Sequence, residues 1–167
     1  MSRTSFQDFN CSLARAADIL GDKWTLVILR DAFYGFRRFG QFQDRLGVAK
    51  TVLSDRLTKL VESGLMERSE REGRAVDYRL TEMGRDLFPT LVALTQWGDQ
   101  WIHGEDGAPV DIVHRESGAL ASPIKVVDSS GQALDAATTT FKPGPGANEQ
   151  THHAFARGND ESRSKVD

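Results

Sequence analysis

The chain has 167 residues, 21 Lys/Arg against 24 Asp/Glu for a formal net charge of −3, 39% hydrophobic residues and one cysteine. A lone cysteine excludes an intramolecular disulfide framework and a cysteine-built zinc cluster within the chain, and fits a reducing compartment. The N-terminal MSRTSFQDFNCS carries no apolar run of signal-peptide form and no later stretch is long enough to span a membrane, so a soluble cytoplasmic chain is expected, with one core-bearing domain plus extensions.

Leu13, Ala16, Ala17 and Leu20 fall at helical spacing and Gly21 ends the pattern, which predicts a short first helix. Asp22 can cap the next segment, KWTLVILRDAF, whose apolar residues run nearly all round and predict the buried centre of the core, ending at Gly35. Phe39, Phe42 and Leu46 predict a third amphipathic helix that stops at Gly47. A fourth follows Val48, with Leu53, Leu57, Leu60 and Val61 facing inward and Gly64 as its stop. Its opposite face carries Lys50, Thr51, Ser54, Asp55, Thr58 and Lys59. Leu65–Arg71 and Ala75–Leu80 then read as two strands of a hairpin around Glu72, Gly73 and Arg74. Thr81 caps a longer helix in which Leu87, Leu91, Leu94, Trp97 and Trp101 form an apolar ridge and Pro89 can bend the axis. So many large apolar residues beyond a small domain favour a dimer seam over packing on the chain's own core.

From Gly104 onward the texture turns to Gly, Pro, Asp and Ser. The runs Val110–His114 and Ile124–Val127 can form a small hairpin. After Phe141 the chain is polar and rich in Pro and Gly, and disorder is expected. The expected division is therefore 1–103, 104–147 and 148–167.

Charge is unevenly placed. Residues 15–85 hold 14 Lys/Arg against 11 Asp/Glu, whereas residues 86–167 hold 6 against 12. Between Phe36 and Leu60 the basic groups Arg37, Arg38, Arg45, Lys50, Arg56 and Lys59 face only Asp44 and Asp55. Such a cluster makes nucleic acid a candidate partner, with a solvated charged face as the alternative. Three helices followed by a hairpin is the order of a winged helix-turn-helix, an α+β fold whose second motif helix enters a DNA groove. On that reading Lys50, Thr51, Ser54, Asp55 and Arg56 face base edges, while Arg37, Arg38, Lys59, Arg71 and Arg74 are placed for phosphates.

The ordered blocks CSLARAADILGDKWTLVILRD, GFRRFGQF, LSDRLTKLVESGLMER and VDYRLTEMGRDLFP resemble the HxlR-type transcriptional regulators, winged-helix proteins related to the MarR group. The likeness covers Cys11 to Trp101. It implies a homodimer on partly palindromic double-stranded DNA, with the first and last helices of the domain, and so Leu13, Leu91, Leu94, Trp97 and Trp101, at the interface. Ala49 stands where the family usually has a capping serine, Gly40 where Asn or a similar residue is usual, and the wing sequence REGRAV lacks the family's prolines. The stretch after Ile112 resembles an extension that in some members carries paired cysteines. Here no cysteine follows Cys11, and His114 beside Ser117, Ser129 and Ser130 is no zinc set, so neither metal nor cofactor is expected. Cys11 itself occupies the position of a redox-sensing thiol in several members, the alternative being a small buried apolar residue.

Two other functions compete with this reading. An enzyme needs groups that converge, and His103, His114, His152 and His153 lie in the extension without a nucleophile elbow, a phosphate loop or metal-ligand spacing. A winged helix that binds protein rather than DNA would not require the basic composition of the fourth helix and wing.

Overall fold

The structure is a computed structural model of the chain, describing residues 5–70 and 76–163. Helix α1 spans Ser12–Leu20 and α2 Lys23–Phe33. Asp22 caps α2 as expected, its Oδ1 accepting from Trp24 N at 2.9 Å, and Gly35 follows the helix at φ 93°. In α3 (Phe39–Leu46) the Gln41 side chain turns back on the helix start, where its Oε1 accepts from the backbone N–H groups of Arg37 and Arg38 at 3.1 and 3.0 Å. Gly47 adopts φ 60°, a left-handed turn open to glycine without steric cost, and its N–H closes on Gln43 O. Helix α4 (Lys50–Glu62) starts without a side-chain cap at Ala49.

The core is built where these helices meet. Ile28 and Leu29 of α2, Phe42 of α3, and Leu53, Leu57 and Leu60 of α4 are fully enclosed, joined by Val48, Leu65 and Met66. Strands β1 (Met66–Glu70) and β2 (Val76–Leu80) pair antiparallel with Met66 opposite Leu80 and Arg68 opposite Tyr78. A third piece of backbone joins them: Tyr78 N donates to Arg37 O at 2.7 Å, and Arg38 bridges Asp77. The sheet is thereby tied to the residues that precede α3, a link with no signature in the periodicity.

Thr81 caps α5 (Glu82–Arg85), its Oγ1 accepting from Gly84 N while donating to Gly64 O at 2.6 Å. The single bent helix expected beyond Thr81 is instead two, because α6 (Phe88–Gly98) begins anew with Pro89 in its first turn, where the missing N–H is not needed. A π-helical turn, Asp99–His103, and a 3-10 turn, Gly104–Asp106, complete this end. The ridge divides as well. Leu87, Leu91 and Val92 turn toward the core, whereas Leu94, Trp97, Trp101 and Ile102 are 48, 57, 68 and 71% exposed.

The expected hairpin between Val110–His114 and Ile124–Val127 does not form. Val113 pairs with Leu120, and separately β3 (Val126–Val127) pairs with β4 (Ala133–Leu134). Gly118 at φ 69° and Gly131 at φ 86° each supply a tight local reversal, and closing a short loop costs less entropy than closing a longer one. Contacts divide the chain into residues 16–124 and a second unit of residues 1–15 with 125–167. Within that second unit the segment expected to be disordered forms α7 (Glu149–Arg163). Asn10 binds its start: its Oδ1 accepts from Asn148 N (3.0 Å) and Thr151 Oγ1 (2.7 Å), and its Nδ2 donates to Gly146 O. Composition cannot register a partner 138 residues away.

Candidate nucleic-acid interface

Burying Leu53, Leu57 and Leu60 fixes the rotation of α4, so its opposite face meets solvent. Lys50, Thr51, Ser54, Asp55, Thr58 and Lys59 are all exposed. Arg37 and Arg38 are exposed on the segment leading into α3, held by the sheet pairing. Arg71 and Arg74 lie outside the described residues.

Not every one of these groups is free to meet a ligand. Arg56 is only 18% exposed and points back, its Nη2 3.0 Å from Asp22 Oδ2 and its Nη1 3.4 Å from Asp55 Oδ2. It links the recognition helix to the cap of α2. Lys59 Nζ lies 2.9 Å from Asp55 Oδ2, one helical turn away. That hydrogen bond, with the positive charges of Lys59 and Arg56, holds the Asp55 carboxyl below its ordinary pKa.

Two buried aspartates were not singled out from the sequence. Asp31, fully enclosed in α2, accepts from Arg30 Nε and Nη2 at 3.0 and 2.9 Å and from Arg45 Nε at 3.2 Å. The Arg45 guanidinium also sits 4.4 Å from the Phe36 ring centroid. Asp77, on β2, lies 4.0 Å from Arg38 Nε and 3.3 Å from Arg79 Nη2. A buried carboxylate is stable only when paired, so these residues fix where arginines of the basic face sit. For Asp31 the available signal was a pair of adjacent charges, Arg30 and Asp31, inside an otherwise apolar run, LVILRDAF.

Leu13 is 79% exposed on α1, and Leu91 is half-buried. Cys11 is exposed, immediately before α1, beside a cavity of about 290 Å³ lined in part by Arg15 and Lys142. Among the described residues no group of His, Cys, Asp or Glu could hold a metal ion, and no helix is long and apolar enough to cross a membrane.

Helix-turn-helix, adjoining sheet and exposed polar face together define a winged helix-turn-helix protein. The chain belongs to the HxlR-like helix-turn-helix family, whose profile matches residues 19–106. It is 43% identical over 137 residues to an uncharacterized HTH-type transcriptional regulator of Mycobacterium tuberculosis, covering 81% of this chain and 87% of that one. An uncharacterized HTH-type regulator of Synechocystis is 36% identical, over 57% of this chain and 73% of its own. Among solved structures, the candidate transcription factor PA1607 superposes with a TM-score of 0.80 at 42% identity, covering 84% of this chain and all of that one. The reduced redox regulator HypR gives a TM-score of 0.51 at 26% identity, over 54% of this chain and 92% of its own. The chain is thus a transcriptional regulator with a DNA-binding fold, not an enzyme.

Proposed function

We propose that the chain works in the cytoplasm as a homodimer on a partly palindromic double-stranded operator, with α4 of each copy in the major groove. The observation that carries this reading is the exposure of Lys50, Thr51 and Ser54 on the face of α4 opposite its buried leucines. The first turns of a groove-entering helix reach base edges, so these three are the principal readers, with Asp55 beside them. Arg37, Arg38 and Lys59 meet phosphates, as do Arg71 and Arg74 of the wing. Arg56, expected from the sequence to read bases, positions α4 instead, since Asp22 and Asp55 occupy its guanidinium. Leu13, Leu94, Trp97 and Trp101, with Leu91 behind them, form the seam; a monomer rarely leaves such aromatic surface in water.

Cys11 is the second element of the reading. Its exposure permits an intersubunit or mixed disulfide, and the likeness to HypR favours redox control. A change at the seam would put the two recognition helices in or out of register.

Selection of bound sequences from a random DNA pool, with reduced and with diamide-treated protein, tests these points together. A two-fold symmetric consensus that disappears on oxidation is expected. Binding that is insensitive to salt and sequence would instead favour a protein-binding winged helix, and binding unchanged by diamide would remove Cys11 from the reading.

A further inference from the structure

The second unit, residues 1–15 with 125–167, holds a cavity of its own, about 290 Å³ in volume. Its wall is assembled from stretches far apart in sequence: the approach to α1, the turn KPGPGA that begins at Lys142, and the first turns of α7. Asn10 joins them, donating to Gly146 O at 3.1 Å and accepting from Asn148 N and Thr151 Oγ1 at 3.0 and 2.7 Å. The wall is therefore set before anything binds, which lowers the ordering cost of a ligand.

The charge around this cavity is one-sided. Arg15 and Lys142 line it, no carboxylate does, and neither cation's side chain makes an ion pair or hydrogen bond among the described residues. Arginines elsewhere are answered: Asp31 faces Arg30 and Arg45, Asp22 faces Arg56, and Asp77 faces Arg79. Residues 86–167 hold 12 Asp/Glu against 6 Lys/Arg, so a lysine and an arginine sharing a cavity without an acid runs against the composition. Phe9 and Phe155 supply apolar wall beside them.

We propose that this cavity binds a small phosphomonoester, its dianionic phosphate on Arg15 and Lys142 and its organic group against Phe9 and Phe155. Two unanswered positive charges call for a dianion. A guanidinium fork takes two oxygens and an ammonium a third, which suits a tetrahedral phosphate better than a planar carboxylate. The site lies apart from the α4 face and goes beyond the DNA-binding function. Cys11 also lines the cavity, so an occupant covers its sulfur. The consequence for oxidation rests on the redox reading of Cys11 above, whereas binding does not.

The test is calorimetric titration of the reduced full chain with phenyl phosphate, without DNA, at about pH 7.5, where a phosphomonoester is dianionic. Phenyl sulfate, of the same shape with one charge fewer, is the control. One phenyl phosphate per chain is expected, with phenyl sulfate at least about fivefold weaker. Arg15→Gln and Lys142→Gln, both at exposed positions, should each weaken phenyl phosphate about fivefold and leave the circular dichroism unaltered. Cys11, the chain's one cysteine, reports the location: phenyl phosphate should slow its alkylation by iodoacetamide, half-maximally at the calorimetric Kd. Equal affinity for phosphate and sulfate, indifference to both substitutions, unchanged alkylation or no saturable binding overturns the proposal. Because neither DNA nor an oxidant is present, a failure of the DNA-binding or redox reading leaves the result untouched.

Discussion

Arg56 of the recognition helix reaches Asp22, the residue that caps α2, with 3.0 Å between Nη2 and Oδ2. One carboxylate therefore fixes both the start of the central helix and the orientation of α4. Asp22→Asn keeps an excellent cap and removes the charge, so it should cost about 1 kcal/mol in urea denaturation. Asp22→Ala loses both and should cost about 2 kcal/mol. If the two variants melt alike, the ion pair contributes nothing to stability.

The division between reading and positioning predicts different DNA phenotypes. Thr51→Ala or Ser54→Ala should change the selected consensus at one or two positions, at about 1–3 kcal/mol per base pair. Arg38→Ala should weaken all sequences alike and lower the slope of log affinity against log salt by about 0.9. Arg56→Ala should weaken binding without moving the consensus, as expected of a group that orients α4.

Sedimentation tests the seam. Trp97→Glu with Trp101→Glu should convert a dimer to a monomer at micromolar concentration, since a charge buried in an apolar interface is not tolerated. The far-ultraviolet circular dichroism should persist, because both side chains lie largely outside the monomer's core. A dimer that survives both changes places the interface elsewhere.

Gly84 is buried in α5, and a Cβ there would overlap the Leu65 carbonyl oxygen and come within 3.2 Å of Leu80 Cδ2. Gly84→Ala gains helix propensity of about 1 kcal/mol but must displace backbone. The net expectation is a loss of about 1–3 kcal/mol in denaturant midpoint analysis. A stabilised variant would mean that the loop after Gly64 yields readily.

Asp55 titrates below its ordinary value because Lys59 donates to it and two positive groups surround it. A depressed folded-state pKa contributes stability above the unfolded pKa and loses it as pH falls through the folded one. The contribution is small at this exposed site, and it should vanish in acid. Lys59→Met should raise the Asp55 pKa in an NMR titration; an unmoved carboxyl would contradict the hydrogen bond as its main cause.

Periodicity and glycine placement were enough to locate α1 to α4, the stops at Gly35, Gly47 and Gly64, and the polar face of α4, because each depends on residues within a turn or two of one another. The caps at Asp22 and Thr81 were legible for the same reason. What depended on distant partners was not. Asp31 has only its neighbour Arg30 in an apolar run until Arg45 folds against it. Asn10 is a linker residue until Gly146, Asn148 and Thr151 arrive, and Arg56 is a candidate base reader until Asp22 claims it. Spacing recorded which residues share a helix face, and only packing decided which charges that face keeps for a ligand.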